Sequence, residues 1–292
     1  MDYLKLDELP ALRRPAFVAA FRGWNDAGEA ATLAVRQLID NWSARPFAAI
    51  DPEEFFDFTV ARPTIRVTEE GLRDLKWPPN HFFYHRRSDA DSDVVLLLGT
   101  EPHLKWRTFT QTVLDLFRRV DGSRLTTLGA LVAATTHTRR APITGFATED
   151  DLQQRLEQLA ITRTRYEGPT GIVGTVHNVF RDAELPAASL WAGLPAYLSN
   201  AVNPTGALAL LEVLDKLFDF GADASSLAAM SQAFTDQVDE ALAGNEEMKA
   251  YVAELERRID SGVSEAGAAD LPPSGEIITD LEDFLRRQRS DS

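Results

Sequence analysis

Short apolar runs alternate with helical patterns along the first two-thirds of the chain. The apolar run at 16–21 ends just before a glycine, and apolar residues then recur at helical spacing over 30–42. The run at 93–98 is followed in the same way by a helical pattern over 106–120. Each pair predicts a strand followed by a helix.

Three further apolar runs predict strands that are buried on both faces, and they lie at 125–134, 171–176 and 187–192. Asn203 and Pro204 then suit the N-cap and first turn of an apolar helix, which Gly221 ends. Repeated strand–helix units predict an α/β fold, namely a three-layer αβα sandwich with a mainly parallel sheet.

Residues 45–90 interrupt this alternation. The β-like runs at 55–60 and 64–67 are separated by a proline, and two more prolines follow at 78 and 79. We interpret this region as a hairpin-like excursion from the sheet.

The C-terminal part of the chain has a different pattern. It is helical from 225 to 260 with a break at Gly244, and a run of small and polar residues follows. Farther on, one apolar stripe contains Ile278, Leu281, Phe284 and Leu285. The expected organisation is a core domain at 1–221, a helical extension at 222–260, a linker at 261–275 and a C-terminal docking helix at 276–292.

The composition of the chain indicates its location and excludes some kinds of chemistry and partner. No apolar run approaches the roughly 20 residues that span a bilayer, and the N-terminus has no basic region followed by an apolar stretch, so we expect a cytoplasmic protein with no membrane contact. Cysteine is absent, which excludes thiolate chemistry and disulfides. The net charge of −15 disfavours nucleic acid as a partner. Residues 221–292 carry sixteen acidic and six basic side chains, a net charge of −10, so most of the negative charge of the chain lies in this part.

The predicted helix at 203–220 is apolar nearly all round. One sheet face cannot cover that much apolar surface, so we expect the chain to form a homo-oligomer. The alternative is a helix buried within one chain, between the sheet and the helical extension.

Polar residues follow the ends of the predicted strands, where ligands bind in parallel sheets. The ligand-binding candidates are Asn25, Asp26, Glu29, Glu101, His103, His137, Arg139, Arg140, His177 and Asn178. Three histidines of this set, at 103, 137 and 177, would have to converge within about 2.1 Å of one ion to hold a metal. Sequence separation gives no sign that they do, and we expect no metal and no cofactor.

Each group of candidates also has a structural interpretation. Asp26 and Glu29 have the spacing of a helix capping box. Glu101 and His103 flank a proline, as ordinary exposed loop residues do.

The basic pair Arg139 and Arg140 beside His137 is typical of a solvated turn as well as of an anion site. The pattern at His177 and Asn178 is typical of the polar end of a strand. No phosphate loop, nucleophile elbow or zinc-protease motif occurs, and no residue is predicted to be catalytic.

Three segments together resemble one known family. They are Phe21-Arg22-Gly23-Trp24-Asn25-Asp26-Ala27-Gly28, Leu98-Gly99-Thr100-Glu101-Pro102 and Trp191-Ala192-Gly193-Leu194-Pro195-Ala196-Tyr197 before Asn203-Pro204. On these segments the chain resembles the bacterial branch of the proteasome assembly chaperone 2 family, over residues 15–220. The segment 272–287 is similar to actinobacterial members.

This resemblance implies an αβα sandwich related to nucleoside phosphorylases and peptidyl-tRNA hydrolases, whose architecture favours a trimer. It also implies a role that depends on protein contacts. Two function classes follow. The first is a non-catalytic protein-binding or assembly-chaperone-like protein, which the missing catalytic motif favours. The second is an enzyme or binding protein for a small anionic metabolite, a nucleoside or phosphorylated compound, at the carboxyl ends of the strands.

Overall fold

A computed structural model describes residues 3–68, 70–88, 90–164 and 166–261. The strands of this part of the chain are β1 (Leu4–Leu6), β2 (Ala16–Arg22), β3 (Arg45–Ile50), β4 (Thr64–Val67), β5 (Arg73–Lys76), β6 (Asn80–His85), β7 (Val94–Thr100), β8 (Arg124–Ala133), β9 (Ile143–Ala147) and β10 (Ala187–Pro195). The α-helices are α1 (Ala30–Asn41), α2 (Trp106–Arg119), α3 (Asp150–Gln158), α4 (Ile172–Asp182), α5 (Pro204–Phe218), α6 (Ser225–Leu242) and α7 (Glu246–Asp260). Two 3₁₀ turns, Ala27–Glu29 and Ala196–Leu198, precede α1 and α5.

Eight strands form one mixed sheet in the order β1-β3-β6-β7-β2-β8-β10-β9. The four strands β7, β2, β8 and β10 are parallel to their neighbours within this group, whereas every other neighbouring pair in the sheet is antiparallel. The predicted mainly parallel sheet is therefore confirmed at its centre, and the antiparallel strands on both sides of that centre make the whole sheet mixed. We call the edge at which these four parallel strands end the carboxyl edge.

The central strand β2 shows why the sheet is covered on both sides. Ala16, Val18 and Ala20 pack in an apolar cluster with α1 and α5, and the alternating residues Phe17 and Phe21 pack with α2 and α4 on the other face. A continuous apolar run suits a strand buried on both faces. The α/β architecture with helices on both faces is confirmed, and the detailed relation to nucleoside phosphorylases stays a prediction.

Two strand predictions were wrong. The run at 171–176 begins helix α4, whose buried residues Ile172, Val173, Val176 and Phe180 follow helical spacing. The run at 55–60 is a turn that buries Phe55 and Phe56 without joining a sheet. The hairpin-like excursion exists as β4 and β5, which form a separate two-stranded sheet, whereas β3 and β6 belong to the main sheet.

Helix α5 is covered within one chain. Asn203 accepts a hydrogen bond from the backbone N–H of Gly206 at 3.0 Å, as an N-cap should. The helix then packs against α1, β10 and α6. This packing matches the alternative of a helix buried within one chain, so the apolar circumference of α5 no longer argues for an oligomer.

The helical extension, α6 and α7, packs on the core through its own apolar cluster. Phe234, Val238, Met248 and Val252 meet there, together with Tyr197 and Leu198 of the second 3₁₀ turn. No helix in the described ranges is long and apolar enough to cross a membrane. The domain boundaries and the cytoplasmic location stay predictions, and the predicted linker and docking helix lie, apart from Ser261, outside the described residues.

Candidate functional site

The turn after β2 is built around two buried polar side chains. Gly23 has a φ of 146°, a conformation that suits glycine, and an added Cβ there would lie 2.8 Å from the Cβ of Glu101. The backbone carbonyl of Asn25 then accepts a hydrogen bond from Ala130 of β8 at 2.9 Å. Asn25 and Asp26 are consequently held at the carboxyl edge and buried.

Asp26 caps α1 from outside the helix. One carboxylate oxygen, Oδ1, accepts from the N–H of Ala31 at 2.8 Å and of Thr32 at 3.3 Å, and Oδ2 accepts from the Thr32 hydroxyl. Burial raises the pKa of Asp26 to about 6, although these hydrogen bonds act in the opposite direction. The capping role is therefore present for this residue.

Glu29 does not complete a capping box. It takes a left-handed backbone conformation with a φ of 49°, and its carboxylate pairs with Arg22. In the described part of the chain, the Glu29 side chain makes no hydrogen bond back to the N-cap, because the 3₁₀ turn before α1 displaces Glu29 from the position that a capping box requires.

Glu101 and Asn25 hold the first turn of α4. Glu101 accepts from the N–H of Ile172 at 2.8 Å and from the N–H of Trp24 at 3.1 Å. Asn25 accepts from the N–H of Val173 at 3.3 Å and donates to the carbonyl of Phe21 at 3.0 Å. A carboxylate at a helix N-terminus satisfies open N–H groups and the helix dipole. Both candidates are thus engaged in joining three segments of the chain.

His103 has a local structural role. Its Nδ1 accepts from the backbone N–H of Asp57 at 3.0 Å, and its ring meets Phe56 edge-on at 5.6 Å between centroids. The ring therefore secures the turn at 55–60 against the loop after β7.

The loop after β8 joins the core to the helical extension. His137 is buried; its Nδ1 lies 2.7 Å from the hydroxyl of Tyr197, and its Nε2 lies 3.0 Å from Oδ1 of Asp239 in α6. The same hydroxyl accepts from the backbone N–H of His137 at 3.0 Å. One neutral tautomer satisfies all three contacts, with Tyr197 donating to Nδ1 and Nε2 donating to Asp239.

The predicted anion clamp is already paired with carboxylates. Arg139 forms a two-oxygen contact with Asp260 of α7 at 3.0 and 3.1 Å, and Arg140 pairs with Glu212 of α5. The cavity beside His137 and Arg139 has a volume of about 10 Å³, room for roughly one water molecule. A nucleoside or sugar phosphate does not fit there.

His177 and Asn178 are not at a strand end, since both lie within α4. His177 is buried, its ring meets Phe146 edge-on at 4.5 Å, and its Nδ1 has no hydrogen-bond partner. Burial lowers its pKa to about 4. Asn178 is exposed on the same helix. Neither residue joins the candidates at the carboxyl edge.

The ten candidates therefore divide into three places. The first place is the start of α1 and α4 with the adjoining loop after β7, and it contains Asn25, Asp26, Glu29, Glu101 and His103. The second is the loop at 137–140, which faces the helical extension, and the third is α4, which contains His177 and Asn178. Among the described residues, no group of three or more His, Asp or Glu side chains is arranged to hold a metal ion.

The sequence reasoning missed the exposed apolar residues of the carboxyl edge. Eleven large apolar side chains with at least two-fifths of their surface exposed belong to segments that begin or end there. They are Trp24, Val60, Ile65, Val67, Leu72, Leu75, Trp77, Leu104, Leu131, Val132 and Tyr166. Trp24 is 65% exposed although the backbone around it is fixed by Glu101. Concentrated exposed apolar surface is typical of a site that contacts other proteins.

A larger cleft of about 670 Å³ lies at the opposite edge, where the parallel strands begin. Its charged lining consists of Arg14, Arg124, Arg155, Asp91, Glu149 and Asp219. Three cations and three carboxylates give this lining no net charge. The lining therefore has no excess of positive charge that would attract an anion, and none of the ten candidates lines the cleft.

Comparisons of the sequence and of the structure with known proteins point to the same family. The sequence profile of the PAC2 family matches residues 20–242. A PAC2 family protein from Streptomyces avermitilis is 39% identical, with a TM-score of 0.74, and the match covers 82% of this chain and 99% of that chain. A proteasome-assembly chaperone homologue from Mycobacterium tuberculosis is 38% identical, with a TM-score of 0.73 and coverage of 81% and 99%.

More distant structures share the fold. An archaeal proteasome activator from Pyrococcus furiosus is 17% identical with a TM-score of 0.65, and the match covers 82% of this chain and 99% of that chain. At this identity the likeness concerns the fold alone. None of the curated proteins matches the chain.

Proposed function

The chain belongs to the PAC2 family, and from this premise we propose that it binds other proteins as an assembly chaperone does, through the carboxyl edge of its sheet. The observation that carries the proposal is the chemistry of that edge. Its polar candidates are used in helix capping and ion pairs, its cavity holds about 10 Å³, and its apolar side chains face solvent. A surface of this kind suits protein contact better than catalysis.

The relatives suggest which class of partner to test first. One of them, 38% identical to this chain, is a proteasome-assembly chaperone homologue. We therefore propose proteasome subunits as the partner class for this chain.

Trp24 is the residue we propose as the centre of the contact. Exposed tryptophans dominate many protein interfaces, and this one is presented on a turn whose backbone is fixed by Glu101. A fixed backbone lowers the entropy that is lost when the side chain is buried by a partner. Leu104, 51% exposed after the neighbouring strand β7, extends the same surface.

Binding to purified actinobacterial proteasome subunits, immobilised on a biosensor, tests this function. We expect the wild-type chain to bind and the Trp24→Ala/Leu104→Ala double variant to bind at least ten-fold more weakly. Leu9→Ala is the matched control, because Leu9 is 46% exposed but lies near the opposite edge, between β1 and β2. Wild-type chain that does not bind would reject the proteasome subunits, and equal binding by the double variant would reject the carboxyl edge.

A further inference from the structure

Four of the exposed apolar side chains of the carboxyl edge lie around the first turns of α2 and α4. The backbone of Trp24 is joined through Glu101 to the first residue of α4. Leu104 lies two residues before α2, and Tyr166 lies six residues before α4. We call Trp24, Leu104, Leu131 and Tyr166 the apolar patch.

Leu131 extends the patch onto β8. It lies on the same face of this strand as Leu125, because side chains alternate along a strand and six residues separate the two. Leu125 packs in the apolar cluster between the sheet and helices α2 and α4. The backbone N–H of Ala130, next to Leu131, donates to the carbonyl of Asn25, next to Trp24. The patch therefore crosses the three adjacent strands β8, β2 and β7 on one side of the sheet.

The described chain ends at the same edge. The members of the patch are between 41% and 65% exposed, so no part of the described ranges covers them. Asp260, at the end of α7, contacts Arg139 in the loop after β8. The remaining chain therefore begins beside the strand that carries Leu131.

The C-terminal segment at 276–292 has an apolar stripe of matching length. Its members Ile278, Leu281, Phe284 and Leu285 recur at helical spacing. From 278 to 285 a helix rises about 10 Å. Three adjacent strands span about the same distance, since neighbouring strands lie about 4.8 Å apart. One stripe can therefore contact side chains of all three strands.

The length of the predicted linker favours this edge over the opposite one. Residues 262–275 of a flexible linker have a root-mean-square span of about 20 Å. The patch lies within about two strand spacings, or 10 Å, of β8 across the sheet. The opposite edge is farther, because the ten residues of β8 extend about 33 Å along the sheet. The effective concentration of a tethered segment is highest where its span matches the distance.

Charge disfavours the other surface near the chain end. Helices α6 and α7 carry eight acidic and three basic side chains. Residues 276–285 carry four acidic side chains and no basic one, so these helices repel them. Beside the patch, Arg107 and Arg163 are exposed, and their charge suits the carboxylates of the segment.

We infer that residues 276–292 pack through their apolar stripe on the apolar patch of the same chain. Trp24 and Leu104 are also the centre of the proposed partner contact, so the docked segment covers the surface that the partner needs. The effect on partner binding rests on the proposed function, whereas the docking itself does not.

Photocrosslinking in the full chain tests the docking. A photoreactive benzoylphenylalanine in place of Phe284 keeps an aromatic ring in the stripe. After irradiation, we expect a product with the mass of one chain, in which mass spectrometry finds the links at or next to the residues of the patch. The same photoreactive residue in place of Thr279 should form about five-fold fewer such links, because it would lie on the opposite side of a helix.

Three results would overturn the docking. Links to α6 and α7 or to the cleft at the opposite edge place the segment elsewhere. Products with twice the mass of one chain place it on a second copy. The absence of links from position 284 means that the stripe does not dock.

Partner binding tests the effect of the docking. Leu281→Asp/Phe284→Asp should bind proteasome subunits about ten-fold more tightly than wild type, as expected if the segment covers the patch in about nine of ten chains. Thr279→Asp/Ser290→Asp adds the same charge on the opposite side of a helix and should bind as wild type does. Equal affinity of wild type and Leu281→Asp/Phe284→Asp would show that the segment does not compete with the partner. If no variant binds, the proposed partner class is rejected, and the crosslinks alone decide whether the segment docks.

Discussion

At the scale of single residues, the buried polar side chains of the carboxyl edge stabilise the fold. Asp26 shows this most clearly, since its carboxylate accepts from the N–H groups of Ala31 and Thr32 while little of it is exposed. The cost of burying its charge appears as a pKa raised from 3.8 to about 6. The folded state therefore holds the proton of Asp26 more strongly than the unfolded chain does.

This difference predicts a pH dependence of stability. Between about pH 4 and pH 6 the folded chain binds more protons at Asp26 than the unfolded chain, so the contribution of Asp26 falls as the pH rises and is constant above about pH 7. Two pKa units correspond to about 3 kcal/mol of the free energy of unfolding. Between pH 4 and pH 7, the free energy of unfolding of wild type should therefore fall by on the order of 2 kcal/mol relative to that of Asp26→Asn.

Denaturant unfolding of both proteins at several pH values measures this difference. The comparison with Asp26→Asn is needed because His177, with a pKa lowered to about 4, acts oppositely: its contribution is lost as the pH falls from about 6.5 to 4. Asparagine retains an oxygen that can accept from Ala31 and Thr32. Parallel pH profiles for wild type and Asp26→Asn would contradict the raised pKa.

The capping role within this site could be predicted from the sequence. A short acidic residue before an apolar helical pattern predicts a cap, and Asp26 is one. The role of Glu101 was not readable, because its partner Ile172 is 71 residues away and no local pattern records that contact. The pairing of Arg139 with Asp260 depends on a still longer separation of 121 residues.

At the scale of elements, the most informative error concerns α4. Gly171-Ile172-Val173-Gly174-Thr175-Val176 is rich in β-branched residues, which favour strands, and its two glycines disfavour a helix. The helix forms because its first N–H groups are accepted by Asn25 and Glu101 and because its apolar residues continue at helical spacing to Phe180. Tertiary contacts overrode local propensity, and a window extended past His177 would have shown the helical period.

The docking of α6 and α7 onto the core leads to the second prediction. Tyr197→Phe removes the hydroxyl that contacts the backbone N–H and the Nδ1 of His137, and so leaves two buried polar atoms unsatisfied. A loss of about 1–3 kcal/mol in the free energy of unfolding is expected. Because His137 also contacts Asp239 of α6, the substitution should accelerate amide hydrogen exchange in α6 and α7 relative to wild type. Exchange in α1 should accelerate less.

Tyr166→Phe is the control for this experiment. Tyr166 is 64% exposed, and its hydroxyl donates to the carbonyl of Pro169 at 3.0 Å within an exposed loop. Its loss should change stability by less than about 0.5 kcal/mol. If Tyr197→Phe lowers the melting temperature but leaves exchange in α6 and α7 unchanged relative to α1, the hydroxyl stabilises the core rather than the docking of the extension.

At the scale of the whole molecule, the alternation of strands and helices was sufficient to predict the architecture but not the order of the sheet. Neither β3 nor β6, which lie to one side of the parallel centre, is a continuous apolar run: β3 begins with an arginine and a proline, and β6 combines aromatic residues with asparagine and histidine. Their pairing depends on contacts across the sheet. The carboxyl edge was likewise predicted as a polar site, because exposure of apolar side chains cannot be read from one sequence.

The last prediction concerns the C-terminal segment. The described chain ends beside the loop after β8, where Asp260 contacts Arg139. From there the predicted linker can span up to about 50 Å when fully extended, which is long enough for residues 276–292 to contact the surface of their own chain. We expect the segment to dock in cis through Ile278, Leu281, Phe284 and Leu285, because the tether gives it a millimolar-scale effective concentration at its own surface.

Hydrogen exchange and a truncated chain test this prediction. Slow exchange across 277–285 with fast exchange across 262–274 is expected in the full chain, and deletion of 276–292 should lower the melting temperature by a few degrees. Fast exchange throughout 262–292 together with an unchanged melting temperature would mean that the segment does not dock on its own protein, and its apolar stripe would then be left for a different partner.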